Sequence, residues 1–125
     1  MRNSFLLILS FIIITSSGAS VLPIVIDTKE ALTVEQFTCL NKLGYFNFVA
    51  HLYYPEGYVD QVGVQNLVNA NKAGVFTHAY ITPCTSGICK NNITKSEDQV
   101  QEVMNALYPN MLQHNFLYVE VDSKN

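Results

Sequence analysis

No stretch of the 125 residues concentrates Lys or Arg, and the 7 basic side chains are outnumbered by 10 acids. That excludes the basic footprint of a nucleic-acid or anionic-membrane binder. With only 3 Cys, a disulfide-dense mini-protein is excluded as well. There is no Pro/Gly/Ser-rich linker, no low-complexity tract and no evident sequence repeat, and the length allows one domain at most. Beyond the first twenty residues, no apolar run approaches the ~20 residues needed to cross a bilayer. What the chain does have is a hydrophobic fraction of 49%, which excludes wholesale disorder.

The first twenty residues read as a secretory signal peptide. Met1-Arg2-Asn3 is a short basic start, Phe5 to Ile14 is apolar apart from Ser10, and Thr15 to Ser20 is small and polar. The domain itself is then expected over residues 21–125. Without Arg2 it carries six Lys against ten acids, a net charge of −4. The expected setting is an oxidising compartment: secretion, or the lumen of a lysosome-like organelle, with no membrane association after cleavage.

From Val21 onward, apolar runs alternate with amphipathic segments. Val21 to Asp27 is a β-branched run closed by an acid, the pattern of a strand buried on both faces. Thr33 and Gln36 fit a capping box, Val34, Phe37, Leu40 and Leu43 give a helical face, and Gly44 suits the C′ position. Phe46 to Tyr54 reads as a second strand, and Pro55-Glu56-Gly57 as a turn. A helix capped by Asp60 follows, with Val64, Leu67 and Val68 on one face and Gly74 as its stop. Val75 to Ile81 is a third strand. Thr94 and Glu97 fit another capping box, opening a helix with Val100, Val103, Met104, Leu107 and Met111 on its face, which Pro109 should kink or interrupt. Phe116 to Asp122 is a fourth strand. The sum is β-α-β-α-β-α-β, which right-handed crossovers arrange as one parallel sheet in sequential order.

Acids stand at the carboxyl ends of these strands, where parallel α/β proteins bind ligands. Asp27 closes the first strand. Glu120 and Asp122 close the fourth and share a face by strand alternation. Such a gathering suits glycoside hydrolysis, in which an acid works opposite a base or nucleophile and crowding raises one carboxyl pKa. The plainer reading is that polar residues at strand ends cap loops or face solvent.

The order and spacing of four segments resemble the first half of a glycoside hydrolase family 25 lysozyme of the nematode and amoeba type. The segments are Val25-Ile26-Asp27-Thr28; Val34 to Leu40; Gly57-Tyr58-Val59-Asp60 with Val64 to Ala70 and Ala73-Gly74; and Ala79 to Cys84 followed by Cys89. The resemblance implies four strands of a TIM-like β/α barrel, a half barrel. It also implies hydrolysis of the β-1,4 bond between N-acetylmuramic acid and N-acetylglucosamine in peptidoglycan, with no metal or organic cofactor.

The resemblance carries roles to single residues. The family's acid on strand one is matched by Asp27, and its Asp-x-Glu at the end of strand four is met by the reversed pair Glu120-Val121-Asp122. Asp122 then stands as general acid, with Glu120 and Asp27 stabilising charge at the anomeric carbon. The shorter Asp draws the carboxyl back by roughly 1.5 Å, one C–C bond, and a displacement near 1 Å can cost ~100-fold in rate. His51 replaces a common Arg and His78 an acid, and the second half of the barrel has no counterpart. Weak or absent hydrolysis by this chain is therefore expected, the alternative being a non-catalytic secreted glycan-binding or interaction protein. Tyr53 and Tyr80 match family positions and, with His51, are the candidate sugar-binding side chains.

Cys84 and Cys89 close a short loop beside a strand end and read as a local disulfide; a redox site is the sharper alternative, although the spacing is longer than C-x-x-C, and zinc would need more ligands than these two sulfurs. Cys39 is left over, either a buried thiol or one whose partner lies elsewhere. Asn92-Ile93-Thr94 is an N-glycosylation acceptor on an expected loop.

Overall fold

The computed structural model describes residues 24–110 and 117–120. Among the described residues a five-stranded sheet forms, whose four parallel strands are β1 (Val25–Asp27), β2 (Asn47–Tyr54), β4 (Phe76–Ile81) and β5 (Leu117–Val119), side by side in that order. The described α-helices are α1 (Val34–Lys42), α2 (Gln61–Lys72) and α3 (Ser96–Leu107). The architecture is thus mixed α/β with a parallel sheet in sequential order, consistent with half of a TIM-like barrel, and the sheet is not closed. The parts of the expected end strands at residues 21–23, 116, 121 and 122 lie outside the described residues.

Capping explains where two of the helices begin. Thr33 accepts from the Gln36 amide at 3.2 Å while the Gln36 side chain accepts from the Thr33 amide at 2.8 Å, the reciprocal box read from the sequence. Asp60 caps α2 by accepting from the Gly63 amide at 3.0 Å. Beyond α1 and α2 the chain reverses at Gly44 (φ +95°) and Gly74 (φ +73°), conformations that suit glycine. Leu43, expected on the buried face, sits at the end of α1 and is exposed.

The third box does not form. Lys95 is the cap residue of α3 and makes no side-chain cap bond, so Glu97 and Asp98 instead place negative charge in the first turn. The reason lies in Gln99, which is buried and donates to the Ile93 and Cys84 carbonyls while accepting from the Cys84 amide. These bonds fix the approach to α3 one residue later than Thr94 would. α3 stops at Leu107, and a 3-10 turn over Tyr108–Asn110 takes in Pro109, as a proline there requires.

One strand was not legible in the sequence. β3 (Tyr58–Val59) pairs antiparallel with Tyr53 and Tyr54 of β2. Pro55 and Glu56 turn the chain, the Gly57 amide donates to the Tyr54 carbonyl at 2.8 Å, and Gly57 takes φ +89°. This is a three-residue hairpin loop that ends in a left-handed glycine.

The core lies on one face of the sheet. Phe48, Ala50, Leu52, Ala79 and Ile81 are buried against Phe37 of α1, Leu67 and Ala70 of α2, and Val103 and Leu107 of α3. Phe37 meets Phe48 edge-on at 4.9 Å. Register places Asp27, Val49, His51, His78, Tyr80 and Tyr118 on the opposite face. Large side chains there are open, with Phe76 64% and Tyr118 52% exposed.

β2 changes allegiance halfway along. His51 pairs with Tyr80 but Tyr53 pairs with Ile81, so Leu52 is an extra residue, a β-bulge. Tyr80 and Ile81 point to opposite faces. Tyr53 therefore turns to the helix side with Ile81, although it stands two residues from His51.

Cys84 and Cys89 are disulfide-bonded, with Cα atoms 6.0 Å apart, and this closes the loop between β4 and α3. Cys39 is free and exposed on α1, which excludes the buried thiol considered for it.

Candidate active site

The carboxyl ends of β1, β2, β4 and β5 bring together side chains from distant parts of the sequence. Asp27 is exposed at the end of β1, and the Tyr80 hydroxyl donates to its Oδ2 at 3.5 Å. Glu120 is exposed just after β5, held in place by its amide donating to the Ile81 carbonyl at 2.9 Å. Its Oε2 accepts from the Thr82 hydroxyl at 2.7 Å. Thr82 in turn is fixed by its amide donating to the Tyr53 carbonyl at 3.0 Å. The two carboxylates thus flank Tyr80 on one face of the sheet.

Tyr80 responds to that setting. Partial burial, then the charges of Asp27 and Glu120, push its phenol up to about 12. A neutral hydroxyl between two carboxylates is a donor at any physiological pH, able to serve a ligand oxygen as readily as Asp27.

Beneath Tyr80 lies His51, 1% exposed, with ring centroids 5.0 Å apart. Its Nδ1 is 3.0 Å from Oδ2 of the equally buried Asp60, and its Nε2 is 3.3 Å from the Thr82 hydroxyl. Tyr54 meets the imidazole edge-on at 4.6 Å, and its phenol is raised first by burial and then by a hydrogen bond to Asp60. Lys29 stands 5.6 Å over the Tyr54 ring. Gly63 permits the closeness of α2 to β2, since a Cβ there would overlap the His51 carbonyl oxygen.

Of the residues singled out in the sequence, Asp27, His51, Tyr80 and Glu120 therefore gather at one place. Asp122 lies outside the described residues. Tyr53 does not join them: the bulge at Leu52 sends it into the core, where its hydroxyl donates to Glu102 at 3.1 Å and accepts from the Asn91 amide at 2.8 Å. Asn92 is exposed in the loop before α3, with φ +58°.

The sequence reading missed Asp60 and Thr82 as members of the site. Capping α2 occupies only one of the two carboxylate oxygens of Asp60 and leaves the other for His51. Thr82 carries no motif at all, since its role follows from lying one residue past the end of β4.

Comparison with known proteins bears on what this arrangement is for. A family model described as Lysozyme-like protein 1 matches residues 19–125. The chain is similar to Lysozyme-like protein 5 of Caenorhabditis elegans, at 32% identity over 105 residues, covering 81% of this chain and 47% of the relative. It is also similar to the Probable GH family 25 lysozyme 2 of Dictyostelium discoideum, at 34% identity over 76 residues, covering 60% of this chain and 35% of the relative. The chain therefore spans half or less of the length of these curated relatives. No solved structure matches. With its family model running from residue 19 to the last residue, the chain belongs to the lysozyme-like protein 1 family.

Proposed function

We propose that this chain forms the carboxylate-bearing part of a secreted lysozyme-like glycoside hydrolase. Its substrate is the β-1,4 bond between muramic acid and glucosamine units of bacterial peptidoglycan. The observation that carries the reading is the pair Asp27 and Glu120 on one sheet face, flanking a neutral Tyr80 at the carboxyl end of parallel strands. In this reading Asp122 protonates the leaving oxygen. Asp27 and Glu120 stabilise positive charge at the anomeric carbon, directly or by orienting the substrate's acetamido group. Tyr80 donates to a sugar oxygen, and His51 supports it from below.

Family membership and the Cys84–Cys89 disulfide support secretion, with residues 1–20 as the signal and Asn92, exposed on its loop, as a glycan acceptor. The open sheet bears on rate. A site that, among the described residues, has no walls on one side admits water and holds a sugar chain loosely, so this chain alone lyses walls weakly or not at all.

The test is a wall-turbidity assay paired with binding of soluble peptidoglycan fragments followed by NMR. Binding that perturbs Tyr80 and is lost in Glu120→Gln and Tyr80→Ala supports the reading. Binding without lysis that persists undiminished in Glu120→Gln assigns this chain glycan recognition alone, the second reading favoured by the open sheet. No binding by wild-type chain overturns both.

A further inference from the structure

We infer that Asp60, His51 and Thr82 form a proton relay that ends on Glu120, so that one proton is shared between the His51 imidazole and the Glu120 carboxyl. The inference rests on the reading of Glu120 as a site carboxylate and gives it a partner buried beneath the sheet surface.

The argument is an accounting of protons along one line. Four groups stand in series: Asp60 Oδ2 to His51 Nδ1 at 3.0 Å, His51 Nε2 to Thr82 Oγ1 at 3.3 Å, and Thr82 Oγ1 to Glu120 Oε2 at 2.7 Å. At the buried end Asp60 is taken as the acceptor, since its carboxyl already receives the Gly63 amide and the Tyr54 hydroxyl and so is surrounded by donors. Nδ1 of His51 therefore carries hydrogen. A hydroxyl has one proton to give. When Thr82 gives it to an ionised Glu120, its oxygen must accept from Nε2, and His51 is then imidazolium. When Thr82 gives it to a bare Nε2, its oxygen must accept from Glu120, and Glu120 is then the neutral acid.

The two states differ by one concerted step. The Glu120 proton passes to Thr82 Oγ1 while the Thr82 proton passes to Nε2, and no other bond changes. Each state satisfies every donor in the line, which the burial of His51 and Asp60 demands. The line is also mechanically fixed. Asp60 caps α2, His51 lies inside β2, and the backbones of Thr82 and Glu120 are bonded to Tyr53 and Ile81.

The surrounding charges are few. Asp27 faces the line from β1, Tyr54 from β2, and Tyr80 and His78 from β4, while Tyr118 of β5 lies against His78 and Lys29 reaches over Tyr54. Lys29 is the one full cation among these described residues at neutral pH, and it sits over Tyr54 and not on Glu120. A proton held jointly by His51 and Glu120 is therefore not dictated by a nearby fixed cation. The consequence for the proposed chemistry is that Glu120 can stand as acid or as carboxylate without exchanging a proton with solvent.

The test follows His51 through imidazole nitrogen shifts and Glu120 through its carboxyl carbon shift across a pH titration of the full chain. Two groups sharing one proton titrate in two steps common to both nuclei. Wild type and Thr82→Ser should show those shared steps, and Thr82→Val should show one separate step for each residue. Shared steps that persist in Thr82→Val would mean coupling through space alone and would overturn the relay, as would single steps in wild type. Should Thr82→Val fail to fold, Glu120→Gln at the exposed end decides. The relay requires His51 to fall to one step, and two remaining steps refute it. Neither lysis nor glycan binding is read here, so this inference and the proposed function fail separately.

Discussion

Tyr80, with a carboxylate on either side, is held in its neutral form, and this has a direct consequence at high pH. Its phenol stands at about 12 in the folded chain against an ordinary 10.0. A folded value above the unfolded one contributes stability that is complete below pH 10 and is lost as the pH rises through 12. Urea denaturation across that window should show stability falling with pH, and Tyr80→Phe should flatten the fall. The buried end of the same cluster is more sensitive. Asp60→Ala leaves a buried imidazole without its acceptor and the Gly63 amide without its cap, at an expected cost of about 3 kcal/mol. Asp60→Asn keeps the cap bond and should cost less, which denaturation midpoints would report. Asp27 and Glu120 could be read from the sequence because strand ends and alternation locate them. The His51–Asp60 pair could not, because its members meet only after the turn at residues 55–57 and β3 fold the start of α2 back onto β2.

The order of strands was legible because caps and glycine stops bracket α1 and α2 so clearly that the apolar runs between them had few other roles. What escaped was local irregularity. A bulge such as that at Leu52 leaves no mark in an apolar run, since FNFVAHLYY has side chains acceptable on either face. For the same reason Tyr53 read as a site residue and is a core residue. The missed hairpin strand is only two residues long, below the length at which alternation carries information. Two measurements belong to this scale. Gly63→Ala forces α2 away from the His51 carbonyl and should destabilise by about 2 kcal/mol, with Asp60–His51 contact loosened in the histidine NMR spectrum. Replacing Cys84 and Cys89 together by Ser opens a short loop and should cost about 2 kcal/mol on the chain-entropy estimate. By contrast, Cys39 should react with a thiol reagent in the native state with no loss of helical circular dichroism.

At the scale of the whole molecule, the sheet has one covered face and one open face. Val25, Phe76 and Tyr118 leave apolar surface uncovered on the open side, the kind of surface to which apolar dyes bind. Phe76→Lys should lower anilinonaphthalene sulfonate fluorescence without lowering the melting temperature, since Phe76 buries little to begin with. No helix among the described residues is long and apolar enough to cross a membrane, so this apolarity belongs to the sheet and not to a spanning segment.

The two-faced sheet has a consequence for how substitutions would distribute. Positions aimed at the helices, such as Phe48, Ala79 and Ile81, govern whether the chain folds, while Asp27, Tyr80 and Glu120 are the positions proposed above to govern what it does once folded. A variant collection plotted as melting temperature against glycan affinity should therefore split along two nearly perpendicular arms. Asp60, His51 and Thr82 would fall between the arms, since they are built into the scaffold and also reach its working surface. Improvement of one property through those three positions would come at the expense of the other.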